Sequence, residues 1–122
     1  MPRPELQPRR WDFLPKHRKV RSQAKWDSGE ALARTINEPS QYLADITLAM
    51  QQALEMHCID EGVMFRDHGE VKRFYLKSGR IVGACSGELT EYVYAEWDSG
   101  SGGLVHGRPI SIRRLREMQV SI

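Results

Sequence analysis

Apolar positions along the chain change their period near the middle. Leu43, Ile46, Met50, Ala53, Leu54 and His57 follow helical spacing, which predicts a helix over residues 41–58 with one buried stripe and Ser40 as its N-cap. Gln51, Gln52 and Glu55 fall outside that stripe. Ahead of it, Asp27 and Glu30 stand three residues apart as a capping-box pair, opening a short helix to about Ile36 that Asn37-Glu38-Pro39 interrupts. Beyond Asp60-Glu61-Gly62 the period shortens to two. Residues 63–66, 71–77, 80–85 and 89–97 read as strands, joined by the short Gly-containing links Asp67-His68-Gly69, Ser78-Gly79 and Ser86-Gly87 that suit antiparallel hairpins. Ser99-Gly100-Ser101-Gly102-Gly103 is a flexible loop, 104–106 a further short strand, and Gly107-Arg108-Pro109 a turn. Residues 110–118 close the chain as strand or helix. The tetrapeptide Trp-Asp-Ser-Gly at 26–29 and again at 97–100 precedes a helix once and follows a strand once, so it marks no repeat.

This order predicts an α+β domain, with one short and one long N-terminal helix packed on an antiparallel meander of four or five strands. Residues 1–25 form a separate extended arm and residues 26–122 the domain. Pro2, Pro4, Pro8 and Pro15 disfavour helix in the arm. Its apolar cluster Trp11, Phe13 and Leu14 is expected to dock on the domain or on a partner, and the arm is expected to be mobile until bound.

At 122 residues, with 40% hydrophobic and 28% charged positions, the chain has the composition of one globular core and not of a disordered segment. No apolar run is long enough to span a membrane, and the Arg- and Pro-rich start lacks the apolar centre of a secretory signal. These features point to the cytoplasm, or to the nucleus in a eukaryotic host, where Lys16–Arg21 would pass as an import signal. In that setting Cys58 and Cys85 are expected to be free thiols.

Charge is segregated. Residues 1–26 hold eight basic and two acidic side chains, 27–107 six and thirteen, and 108–122 four and one. Basic ends on an acidic body suit a polyanion partner, or ends that fold back on their own body. Arg9, Arg10, Lys16, Arg18, Lys19 and Arg21, with Trp11 interleaved, suit phosphate contacts, which Arg113, Arg114 and Arg116 extend. Alternation along 71–77 and 89–97 sets Arg73, Tyr75, Tyr92 and Tyr94 on one sheet surface, where aromatics stack exposed bases or pack on a protein. The same alternation assigns Leu89, Val93, Ala95 and Trp97 to the core.

His57, Cys58, His68, Cys85 and His106 match no zinc spacing, and no metal or cofactor is expected. Pairing either cysteine with His68 or His106 is possible on paper but is demanded by no spacing, so no catalytic residue and no small-molecule substrate are assigned. The expectation is a small non-enzymatic protein that contacts nucleic acid or a nucleoprotein complex. The alternative is a protein–protein module, an adaptor or inhibitor, using the aromatic patch and the acidic body.

Overall fold

In the computed structural model, which describes residues 3–122, the elements follow as β1 (Arg10–Trp11), α1 (Gln23–Asp27), α2 (Glu30–Arg34), β2 (Gln41–Tyr42), α3 (Leu48–Glu61), β3 (Val63–His68), β4 (Val71–Lys77), β5 (Gly83–Cys85), β6 (Glu88–Thr90), β7 (Tyr92–Asp98), β8 (Leu104–Pro109) and α4 (Ile112–Glu117). The class is mixed α+β, with four α-helices and two sheets among the described residues. The larger sheet has the order β1-β8-β7-β4-β3 and the smaller β2-β5-β6. All pairs are antiparallel except β1 with β8. Among the described residues, no helix is long and apolar enough to cross a membrane.

Both faces of the larger sheet are covered, unevenly. On one face α3 packs over Phe74, Val93, Ala95, Trp97 and Val105, joined by Leu6, Tyr42, Ile46, Cys58, Ile59 and Val82 in the main core. On the other, α4 lays Leu115 against Tyr92 and Tyr94, with Ile110 and Val120 completing a second core that Phe65, Tyr75 and Met118 border. Arg66 pins the end of α4 by donating to the Met118 carbonyl at 2.9 Å.

The long helix differs from expectation at both its start and its face. Thr47 is the N-cap, its side chain accepting from Met50 N at 3.1 Å. Gln41 and Tyr42 are strand instead, opposite Ala84 and Gly83. The face turned inward carries Gln51, Glu55, Cys58 and Ile59, all buried. The expected stripe is divided, with Ile46 in the main core and Leu43 and Leu54 packed against it. Met50, Ala53, Leu54 and His57 line an apolar groove of about 340 Å³ with Ile46 and Val82.

The inversion has a polar cause. Glu55 is 1% exposed and accepts hydrogen bonds from Trp11 Nε1 (2.9 Å), Tyr42 OH (2.7 Å) and Gln51 Nε2 (3.2 Å), and from the Gly107 backbone. A carboxylate with that many donors is tolerated inside. Burial nonetheless holds its pKa above the ordinary 4.5, so desolvation outweighs the donors.

Two smaller corrections are local. One helix from Asp27 to Ile36 is two short ones, because Gly29 takes a left-handed conformation (φ +85°) between them and Asp27 accepts from Gln23 at 2.9 Å instead of capping. The strand over 89–97 breaks at Glu91. Thr90 turns inward, donating to the Ile110 carbonyl at 2.7 Å and accepting from Tyr92 N at 3.0 Å, which leaves Leu89 52% exposed instead of in the core.

Residues 3–25 are folded onto the rest of the chain and not extended away from it. Leu6, His17 and Val20 are each 2% exposed, and β1 runs beside β8. Gly103 (φ +84°) makes room for this, since a Cβ there would fall on the Pro8 carbonyl. Arg18 donates to the Ile46 carbonyl at 2.7 Å. Arg21 donates to Ala44 and Ile46 at 2.7 and 2.9 Å, tying down the loop that enters α3.

Glu55→Ala orphans at least three donors, each costing about 1–3 kcal/mol when buried unpaired. A loss of about 3–5 kcal/mol is expected in urea unfolding. Glu55→Gln, which keeps the volume and one acceptor oxygen, is expected to lose less. Alanine at Arg18 or Arg21 is expected to lower stability by about 1 kcal/mol, allowing for solvent around exposed guanidinium groups. Lys19→Ala is expected to leave the unfolding midpoint unchanged, because its side chain has no partner among the described residues.

Candidate functional site: a cationic groove on the sheet

Strand register lines up polar side chains on the half of the sheet that α4 leaves uncovered. Arg66 of β3 lies opposite Arg73 of β4, Arg73 opposite Glu96 of β7, and Glu96 opposite His106 of β8. Asp12, whose N–H donates to the Val105 carbonyl at 2.7 Å, ends that row. The neighbouring row is Tyr75, Tyr94 and Arg108. Period-two alternation produces both rows, because Val105, Gly107 and Pro109 face away between His106 and Arg108 and are buried.

These side chains floor a groove of about 360 Å³. Arg73, Tyr94, Glu96, His106, Gly107 and Arg108 form its base, and Leu14, Lys16, His17 and Pro39 its wall. The volume falls within the range of ligand pockets, about 300–1,000 Å³. The wall exists because the arm is folded. A 3₁₀ turn at Pro15–His17 brings Lys16 and His17 to the rim.

Glu96 is the one carboxylate of the groove and is heavily engaged. His106 Nε2 lies 2.5 Å from its Oε1, Tyr94 OH donates to Oε2 at 3.1 Å, and Arg73 Nε stands 3.8 Å away. The His106 hydrogen bond, opposed by burial, holds Glu96 below the ordinary 4.5. The Glu96 hydrogen bond, again against burial, holds His106 above 6.5, with Asp12 and Glu55 adding in the same direction. His106 Nδ1 is buried with no hydrogen-bond partner among the described residues, 4.0 Å from Asp12 Oδ2. Arg108 lies over the Tyr94 ring at 5.3 Å, and no carboxylate pairs with it or with Lys16 among the described residues.

His17 behaves oppositely to His106. Burial pushes its pKa down to about 4, the Ser40 hydrogen bond offsets this in part, and Arg108, Lys16 and His106 disfavour a further charge. Its Nδ1 lies 2.8 Å from the Ser40 carbonyl. A carbonyl only accepts, so Nδ1 carries the hydrogen.

The residues picked from the sequence divide sharply. Lys16, Arg73 and Tyr94 come together in the groove. Arg9 is ion-paired with Asp60, Arg18 and Arg21 are spent on carbonyls, and Trp11 is held by Glu55. Arg10 is exposed at the end of β1, with a long 3.4 Å contact to the Ser101 carbonyl, and Lys19 is exposed. On α4, Arg113 donates to the Ser86 carbonyl at 2.8 Å, Arg114 pairs with Glu117 at 3.3 Å, and Arg116 donates to the Ile122 carbonyl at 3.2 Å.

The aromatic stacking surface is absent in the expected form. Tyr75 does share a face with Tyr92 and Tyr94, but α4 covers that face, leaving Tyr92 8% and Tyr94 5% exposed. Cys58 and Cys85 are free and buried, and burial pushes the Cys58 thiol well up. His17, Arg108 and the Glu96–His106 pair were not assigned to a binding site from sequence. The alternation His106-x-Arg108, had the strand been carried past 106, is the signal that finds two of them.

No protein-family model matches the chain, and searches of curated proteins and of solved structures return no match.

The Glu96–His106 pair has a defined pH window. His106, raised above 6.5, contributes its full stability below 6.5 and loses it as pH rises through the raised value. Glu96, lowered below 4.5, contributes fully above 4.5 and loses it as pH falls through the lowered value. The pair is therefore fully stabilising between 4.5 and 6.5. Comparing urea midpoints of wild type and Glu96→Gln from pH 4 to 9 should show their difference shrinking on the alkaline side.

Proposed function

We propose that this protein is a non-enzymatic nucleic-acid-binding module that takes a single strand across the groove, with phosphates on Lys16, Arg73 and Arg108. The observation that carries the reading is the convergence of those three cations on a groove whose one carboxylate is already engaged by His106 and Tyr94. A phosphate entering there meets Lys16 and Arg108, with which no carboxylate pairs among the described residues, while Arg73 shares Glu96 with His106. A flexible strand, unlike a rigid duplex, bends its backbone into a groove of about 360 Å³.

Binding without catalysis is supported by the state of His106. One ring nitrogen is bonded to Glu96 and the other is buried, so neither reaches the proton of a ligand. With Tyr92 and Tyr94 buried, affinity comes from phosphate contacts more than from stacking. It is accordingly salt-dependent and indifferent to base sequence. The competing reading, a protein–protein module, draws on the apolar groove beside α3, which is lined by no residue of the cationic groove.

Fluorescence anisotropy of a labelled single-stranded oligonucleotide, titrated across a salt series, tests the proposal. Arg73→Gln with Arg108→Gln is expected to weaken binding at least tenfold. The salt dependence should also flatten, by about 0.7 in log K per log salt for each lost contact. Both guanidinium groups are partly exposed, so unfolding is not the expected result. Unchanged affinity in the double variant overturns the groove as the binding site. Absence of binding at low salt overturns the nucleic-acid reading and leaves the protein-partner reading standing.

A further inference from the structure

Resting on that reading, we propose that the strand is RNA, and that His17 recognises it by accepting a hydrogen bond from a ribose 2′-hydroxyl. His17 lines the groove although it is only 2% exposed, so little more than one edge of its ring is open. Its Nδ1–H is committed to the Ser40 carbonyl at 2.8 Å, with Ser40 Oγ a further 3.4 Å neighbour. Nε2, across the ring, has no partner among the described residues.

The tautomer decides the chemistry. With the hydrogen on Nδ1 and the ring neutral, Nε2 is a lone-pair acceptor, the one ring position that cannot serve a phosphate. Everything around it has the opposite character. Lys16 is the adjacent residue and Arg108 and His106 act on the ring through their charges, so a neutral acceptor is set among groups that hold anions. A ligand that satisfies this arrangement carries a donor next to a phosphate. In a nucleic acid the backbone group with that property is the ribose 2′-hydroxyl, which is the group that separates RNA from DNA. A DNA strand leaves a nearly buried acceptor unpaired, and such a loss is what allows a site to reject an analogue that lacks the hydroxyl.

The deciding experiment changes the ligand and leaves the protein intact. Single strands of one sequence are compared as RNA, DNA and 2′-fluoro RNA by anisotropy with the wild-type chain. The fluoro strand keeps an RNA-like sugar pucker but has no 2′ donor. RNA is expected to bind roughly tenfold more tightly than either, a ratio set by one hydrogen bond. His17→Phe, which keeps a planar ring, is expected to bring the ratio of RNA to DNA affinity, measured within the variant, down to about one. Equal affinity of the wild type for RNA and 2′-fluoro RNA overturns the assignment to His17 even where nucleic-acid binding itself holds. Binding to none of the three overturns the nucleic-acid proposal and this inference with it.

Discussion

A carboxylate with almost no exposed surface ties its helix to three distant segments of this chain. Glu55 receives Trp11 from the N-terminal segment, Tyr42 from the small sheet, Gln51 from its own helix and the backbone of Gly107 from β8. Taking such a group out of water costs several kcal/mol, and only a nearly complete set of donors offsets the cost. Each donor must therefore be in place for the helix to sit as it does. Gly107 belongs to the same requirement, since a Cβ there would press on Glu55 and on the Tyr94 carbonyl. Because Trp11 is a member, the first part of the chain folds inward. The 3₁₀ turn that follows then reaches the sheet and walls the groove.

This interaction also explains which parts of the structure were legible in the sequence. β4 was read with its observed ends, and the pairing that puts Arg73 and Tyr75 on one face with Tyr94 follows from its alternation. Those features depend on period two alone. The helix of 41–58 was misplaced because the rule used assumes that polar residues face water. Glu55 faces inward here because its partners Tyr42 and Trp11 stand 13 and 44 positions away in the chain, which no local pattern encodes, and Gln51 follows it inward as a further donor. Of the predicted stripe, Met50, Ala53 and His57 are exposed along a groove by the same rotation, while Ile46 stays in the main core with Leu43 and Leu54 against it. Likewise, Tyr92 and Tyr94 looked like an open surface only while the covering segment, 110–118, was undecided between strand and helix. Ser111 decides it, capping α4 by accepting from Arg114 N at 3.0 Å.

The site was legible in composition more than in place. Lys16 and Arg73 were chosen for their charge and lie in the groove, whereas Arg9, Arg18 and Arg21 were chosen on the same ground and serve the fold. Charge counts cannot separate the two groups, because both are arginine or lysine and Lys16 stands within a few residues of Arg9, Arg18 and Arg21. What separates them is whether a carbonyl or carboxylate lies within reach once the chain is folded. That depends on where the loop entering α3 passes.

The two explanations of the charge segregation, a polyanion partner or ends that neutralise their own body, are not exclusive once the partners are known. The ends do fold back. Part of the acidic body pairs with its own bases, Asp67 with Lys72, Asp45 with Arg80 and Glu38 with Arg34, and the ends contribute Arg9 to Asp60 and Arg113 to Glu88. The arginines of the N-terminal segment go mainly to neutral carbonyls: Arg3 to Ile59 and Gly62, Arg18 to Ile46, and Arg21 to Leu43, Ala44 and Ile46. A carbonyl satisfies a guanidinium's hydrogen bonds without cancelling its charge. Folding therefore fixes these cations in position while leaving most of their field intact.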